Sequence, residues 1–139
     1  MTEQYVQLQD GTNLWTNVTG SGPPVVLVNG GPGMADYLAP LAALMAPRYT
    51  VHRFEPRGCG RSPSEGPFTL NRSIDDIERL RAYWGHSRWW IVGHSWGVDL
   101  GLACALQHRE HLSGLIGLAG GRVHNDREWH KTYSARRHE

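Results

Sequence analysis

The chain has 139 residues, 40% of them hydrophobic and 19% charged, with a formal net charge of +1 when its eight histidines are neutral. That length predicts one domain with a substantial core, and that composition excludes a disordered or low-complexity chain. The near-neutral balance gives no reason to invoke nucleic acid or an acidic membrane as partner, and no apolar run approaches the ~18–20 residues that span a bilayer.

Residues 4–9, QYVQLQ, alternate polar and apolar side chains and end at Asp10-Gly11. Residues 13–19, NLWTNVT, do the same and end at Gly20-Ser21-Gly22. Two half-buried strands joined at an Asp-Gly turn predict a hairpin. Val25 to Val28 is a short β-branched run, the pattern of a strand buried on both faces, and Gly30 to Gly33 breaks it. Residues 35–46, ADYLAPLAALMA, space Leu38, Leu41, Leu44 and Met45 as a helix does, with Pro40 kinking it or starting its main turn. Residues 49–60 read as a strand running into a glycine-rich loop. Residues 71–85 form an amphipathic helix with stripe residues Ile74, Ile77, Leu80, Arg81 and Trp84, Ser73 as N-cap and Gly85 as stop. RWWIVGHS is a strand, residues 96–109 a helix apolar nearly all round, and residues 112–121 a last apolar strand. Strands alternating with helices after a hairpin predict an α/β fold with a mostly parallel sheet and helices on both faces.

The chemistry concentrates at the strand-to-helix turns. Gly93-His94-Ser95-Trp96-Gly97 fits G-x-S-x-G between a strand and a helix. A serine at the apex of so sharp a turn needs flanking residues without side chains, which Gly93 and Gly97 provide. The Trp96 N–H opens the helix, lacks an intrahelical partner, and lies at the positive end of the helix dipole, so it offers half of an oxyanion hole. Asn29-Gly-Gly-Pro-Gly33, after the buried strand, offers the other half through the Gly31 N–H. No Lys-Ser/Thr follows these glycines and no G-x-G-x-x-G is present, which excludes a Walker-type or dinucleotide loop.

NGGPG (29–33), PRGCGRS (56–62) and GHSWG (93–97) occur in that order over almost the whole chain. On these stretches the chain resembles the α/β-hydrolase superfamily, and within it the proline iminopeptidase-like branch. That branch typically carries His-Gly-Gly-Pro-Gly, Asp-Gln-Arg-Gly-x-Gly-x-Ser and Gly-Gly-Ser-Trp-Gly at the matching places. Here Asn29 replaces the histidine, Glu55-Pro56 replaces Asp-Gln, and His94 replaces a glycine, as in general esterases and lipases. The resemblance implies an α/β-hydrolase core with Ser95 as nucleophile and Gly31 and Trp96 as oxyanion donors. It assigns Gly93, Gly97, Gly30 and Gly33 to support of the elbow and its facing loop, and implies no metal and no organic cofactor. The substrate would be a peptide with an N-terminal proline, or an ester.

In this family the acid and the histidine follow the serine, on loops after later strands, and 44 residues follow Ser95 here. Residues 1–121 are expected to form the N-terminal part of the core. Residues 122–139 resemble the start of a cap, or form a flexible tail, with the C-terminal strands and most of the cap absent. His94 is expected to pack the elbow, and His108 and His111 to lie on the surface on the order of 20 Å from the serine, at ~1.5 Å per helical residue. His124 and His130, with Asp126 to orient one of them, are the in-chain candidates for a base. Asp99 is expected to favour the positive end of its helix. Cys59 and Cys104 have no metal or disulfide spacing and read as packing thiols of a reducing compartment; with no signal peptide in the N-terminal residues, this predicts a cytoplasmic protein. Two functions stand: a serine hydrolase incomplete in this chain, and a non-catalytic fragment stabilised by self-association or a complementing chain through the apolar strand near 112–120, whose free edge would be a pairing hazard.

Overall fold

A computed structural model of the chain describes residues 1–31 and 33–120. Six strands form one sheet: β1 (Thr2–Gln7), β2 (Asn13–Thr19), β3 (Pro24–Val28), β4 (Thr50–Phe54), β5 (Trp89–His94) and β6 (Leu112–Leu118), in the order β1-β2-β4-β3-β5-β6. β1 and β2 are the expected hairpin, closed by the Leu8 N–H donating to Thr12 O (2.8 Å), with Gly11 at φ 87°. β2 is antiparallel to β4, and every pair from β4 to β6 is parallel.

Three helices connect the parallel strands: α1 (Ala39–Met45), α2 (Leu70–Tyr83) and α3 (Trp96–Gln107). Alternation along β3 divides the core. Val26 and Val28 point with Ile91 into a cluster built on Ile74, Ile77 and Leu80 of α2 and Leu100 and Cys104 of α3. Val25 and Leu27 point with Val51 and Val92 to the other face, against Leu38 and Ala42. β3 is therefore apolar on both sides because both sides are covered.

Two helix boundaries differ from the sequence reading. The first helix covers 39–45 rather than 35–46, because Pro40 sits in its first turn, where a missing N–H costs nothing, and Asp36 is drawn out of helical geometry. The Asp36 carboxylate accepts from the Leu38 N–H (3.2 Å) and pairs with Arg53 on β4. The second helix is capped by Thr69, not Ser73: Thr69 Oγ1 accepts from the Arg72 N–H (3.2 Å), which starts the helix at Leu70 and places Ser73 inside it. Its stop is as expected, with Gly85 at φ 73°.

The order around β3 positions the site. From β3 the chain crosses to β4 on one side, then returns past β3 to β5 on the other. The crevice beyond the carboxyl ends of β3 and β5 lies at this reversal, where open α/β sheets bind ligands. Among the described residues no helix is long and apolar enough to cross a membrane.

Candidate active site

Ser95 joins β5 to α3 with φ 55° and ψ −118°, and it is exposed. A non-glycine residue at positive φ outside the left-handed helical basin is strained, and it persists only where its surroundings hold it. The flanking glycines show how. A Cβ on Gly93 would lie 2.3 Å from Gly97 O, and one on Gly97 would lie 2.1 Å from Val28 O. Backbone meets backbone at both positions, so no side chain fits. The Ser95 N–H donates to Leu118 O on β6 (2.9 Å), and its carbonyl accepts from the Val98 N–H (3.0 Å), which ties the apex to the neighbouring strand and the first helical turn.

The facing loop closes on this apex. A Cβ on Gly30 would lie 2.8 Å from the Ser95 Cβ and 2.9 Å from His94 O, so the chain after β3 runs directly against the elbow. Gly31 follows at φ 59°, beside the Met34 thioether, and the Met34 N–H donates back to Gly31 O (3.3 Å). Gly33, at φ 93°, has open space around its α-carbon and lines the cavity described below. Asn29, in place of the branch's histidine, is buried and holds the loop from beneath, its amide donating to Met34 O (3.0 Å) and Ala35 O (3.4 Å). Trp96, the first residue of α3, is half-buried against the core.

Tyr37 was invisible as a site residue while its segment read as helix. The Gly30 N–H donates to its hydroxyl (2.6 Å), and that hydroxyl in turn contacts His94 Nδ1. His94 is thus engaged in bracing the facing loop, in keeping with its expected packing role.

Beside Trp96 opens a cavity of about 540 Å³, lined by Gly58 and Cys59, by Phe68 and Leu70 at the start of α2, and by Trp96 and Asp99 of α3. Asp99 sits in the first turn of α3, at its positive end. The loop between β4 and α2 that forms one wall is held by buried ions. Arg57 donates through Nε and Nη2 to Asp76 (2.7 and 2.8 Å) and through Nη1 to Asp10 (2.8 Å). Burial raises the Asp76 carboxyl above its usual range against the opposing pull of Arg57, while hydrogen bonding from Arg57 lowers Asp10 to about 2. Burial would also raise Glu55, but hydrogen bonds and charge from Arg61 outweigh it and hold the carboxyl low. Arg61 lies 3.5 Å over the Trp15 ring while pairing with Glu55. Burial lifts the Cys59 thiol, and carries Cys104 to about 12, so neither is a nucleophile at neutral pH.

His108 and His111 lie at the far end of α3, and Leu112 pairs with Trp89 at the opposite end of the strands from Ser95. His124, Asp126 and His130 lie outside the described residues.

A mostly parallel sheet with an exposed, strained serine at a strand–helix apex, flanked by glycines and faced by a second glycine loop, is the fold and local geometry of the α/β-hydrolase class. Comparison with known proteins agrees. The family model described as alpha/beta hydrolase fold matches residues 23–138. The proline iminopeptidase of Saccharolobus solfataricus is 37% identical over 108 residues, covering 74% of this chain and 35% of that protein. The proline iminopeptidase of Xylella fastidiosa strain 9a5c is 38% identical over 98 residues, covering 68% of this chain and 31% of its own length. The crystal structure of an alpha/beta hydrolase from Sphaerobacter thermophilus superposes with a TM-score of 0.79 at 30% identity, over 95% of this chain and 53% of that one. The chain belongs to the alpha/beta hydrolase family, and spans about a third of the length of these curated relatives.

Proposed function

We propose that this chain carries the nucleophile and oxyanion-binding part of a serine hydrolase that cleaves peptides bearing an N-terminal proline. The observation that carries the reading is the strained, exposed backbone of Ser95 at the sheet's topological reversal, with Gly30 packed against it. In the proposed reaction the Ser95 hydroxyl attacks the substrate carbonyl and its proton passes to an imidazole outside the described residues. The N–H groups of Gly31 and Trp96 hold the negative oxygen that develops. The amine leaves, and water releases the acyl group. The apolar cavity beside Trp96 suits a small ring, and the relatives named proline iminopeptidase favour the amide over the ester. Buried free Cys59 and Cys104 fit a reducing, cytoplasmic setting.

A fluorophosphonate probe tests this. Labelling that disappears in Ser95→Ala, with hydrolysis of proline anilides ahead of short-chain esters, is the expected result. An unlabelled but folded protein would overturn it in favour of the second reading, a non-catalytic scaffold that pairs with a second copy. What favours that reading is β6. Among the described residues it ends the sheet, carries no charged residue, and leaves Ile116 47% and Leu118 38% exposed. Apolar free edges invite strand pairing, most simply across a two-fold axis. A sedimentation mass of one chain counts against the scaffold.

A further inference from the structure

At the end of the sheet away from Ser95, three ligating side chains converge. His108 caps α3 and His111 closes the single 3-10 turn, Arg109–His111, that leads into β6. Residues three apart in such a turn eclipse each other. The two imidazoles accordingly stack nearly parallel, their centroids 5.6 Å apart and their planes 9° from parallel. Glu78 reaches this pair from the middle of α2, placing Oε2 2.6 Å from His111 Nδ1. One ligand atom from each of the three residues lies within 4.8 Å of the others. We propose that Glu78, His108 and His111 form a binding site for a borderline divalent cation of the zinc class.

Two further observations point to a ligand. The first is Glu78 Oε1, which is buried without a hydrogen-bond partner among the described residues, while Oε2 accepts from both His111 and Arg81. A buried carboxylate oxygen left unpaired is costly, and an ion would satisfy it. The second is Glu110, whose carboxylate lies 3.8 Å from His111 Nε2. With Nδ1 on a metal, the Nε2–H faces that carboxylate, the outer partner that ligating histidines ordinarily have. The Arg81 guanidinium donates to Glu78 Oε2 through Nη2 (2.9 Å) and Nε (3.2 Å) and to His86 O (2.6 Å), and makes no hydrogen bond to Oε1.

The donor set selects the cation. Two imidazole nitrogens and one carboxylate oxygen suit zinc, nickel, cobalt or copper and not calcium or magnesium, which take oxygen. Contraction of each side chain by under about 1 Å reaches the ~2.0–2.2 Å bonds of zinc, with water in the fourth position. All three residues are only half-buried. The sequence spacing of the two histidines gave no zinc motif because the third ligand is 33 residues before His111. An ion here joins α2 to the connection between α3 and β6, and so fixes the start of the edge strand. The inference is independent of any role for Ser95.

Chelator-stripped full-length protein, titrated with zinc chloride by calorimetry, is expected to bind one equivalent. Glu78→Gln and His108→Gln should each weaken binding at least about tenfold, with Ser95 labelling unchanged. Because a variant can fail to fold, histidine ring resonances of the unmutated protein provide a second readout. Zinc should shift those of His108 and His111 and leave His52 and His86 in place. Absence of binding, affinity in both variants unchanged from the unmutated protein, or shifts confined to other histidines would overturn the site.

Discussion

Ser95 holds its backbone at φ 55° because its neighbours leave it no alternative. The segment can relax only if Gly93, Gly97 or Gly30 moves, and each of these abuts backbone atoms of another element. Such strain costs on the order of 1–3 kcal/mol, whereas a glycine costs about 0.5–1 kcal/mol in extra unfolded-chain entropy. The larger quantity decides the sign. Ser95→Gly should therefore stabilise the fold by about 1 kcal/mol, and Ser95→Ala, which keeps the Cβ, should not. Paired urea titrations of the two variants check this; equal midpoints would show that the apex is unstrained. Gly97 has no such latitude, since any Cβ there lies 2.1 Å from Val28 O. The same steric logic made this part of the site readable in sequence. Glycines two positions away on each side of a serine, after an apolar strand, already mark a tight strand-to-helix turn.

At the scale of elements, the loop from β4 to α2 is organised by charges instead of apolar packing. Arg57 is 4% exposed and bridges Asp76 of α2 to Asp10 of the β1–β2 turn, so one guanidinium fastens three segments around a cavity wall. Removing one partner of a buried pair leaves the other charge uncompensated, at a cost of about 3–5 kcal/mol. Arg57→Met should therefore lower stability by that amount, whereas the double variant Arg57→Met, Asp76→Leu should recover much of it. A double-mutant cycle in chemical denaturation measures the coupling, and additive losses would contradict it. These pairs were not legible in the sequence. Hydrophobic periodicity reveals which face of an element is buried, as it did for Val25–Val28 and for the stripe through Ile74, Ile77 and Leu80. It carries no information on which charged residues meet across 19 positions, as Arg57 and Asp76 do. Helix starts suffered from the same locality. Ser73 and Thr69 are both good caps by residue type, and the structure uses the earlier one, Thr69. Tyr37 was hidden because helical spacing of the leucines nearby extended the predicted helix over it.

For the whole molecule, the two ends of the sheet differ in what titrates. Beside the cavity the ions are Arg–carboxylate pairs, and exposed Asp10, lowered to about 2 by Arg57, adds stability that is lost only as pH falls from about 3.8 through 2. On β4, His52 is instead buried among aromatic rings, with Trp84 at 4.2 Å and Trp89 at 5.7 Å between centroids. Its Nε2 meets His86 Nε2 at 2.9 Å, and its Nδ1 has no hydrogen-bond partner among the described residues. Burial, reinforced by the nearby His86, lowers His52 from 6.5 to about 3. The unfolded chain therefore binds a proton at this residue between about pH 6.5 and 3 that the folded chain refuses. Stability is greatest above 6.5 and declines on acidification, with a limiting slope of about 1.4 kcal/mol per pH unit for one histidine. His86, lowered by burial and by Arg81, acts in the same direction. The Asp10 window lies lower, and Asp76, raised by burial, is common to the unmodified protein and a His52 variant, so the difference between them from pH 6.5 to 4.5 isolates His52. His52→Phe keeps an aromatic ring against Trp84 and Trp89 while removing the titrating group, so its urea midpoint should fall less steeply than that of the unmodified protein over this range. Parallel slopes for the two proteins would mean that His52 is protonated in the folded state and that water reaches the space between β4 and α2.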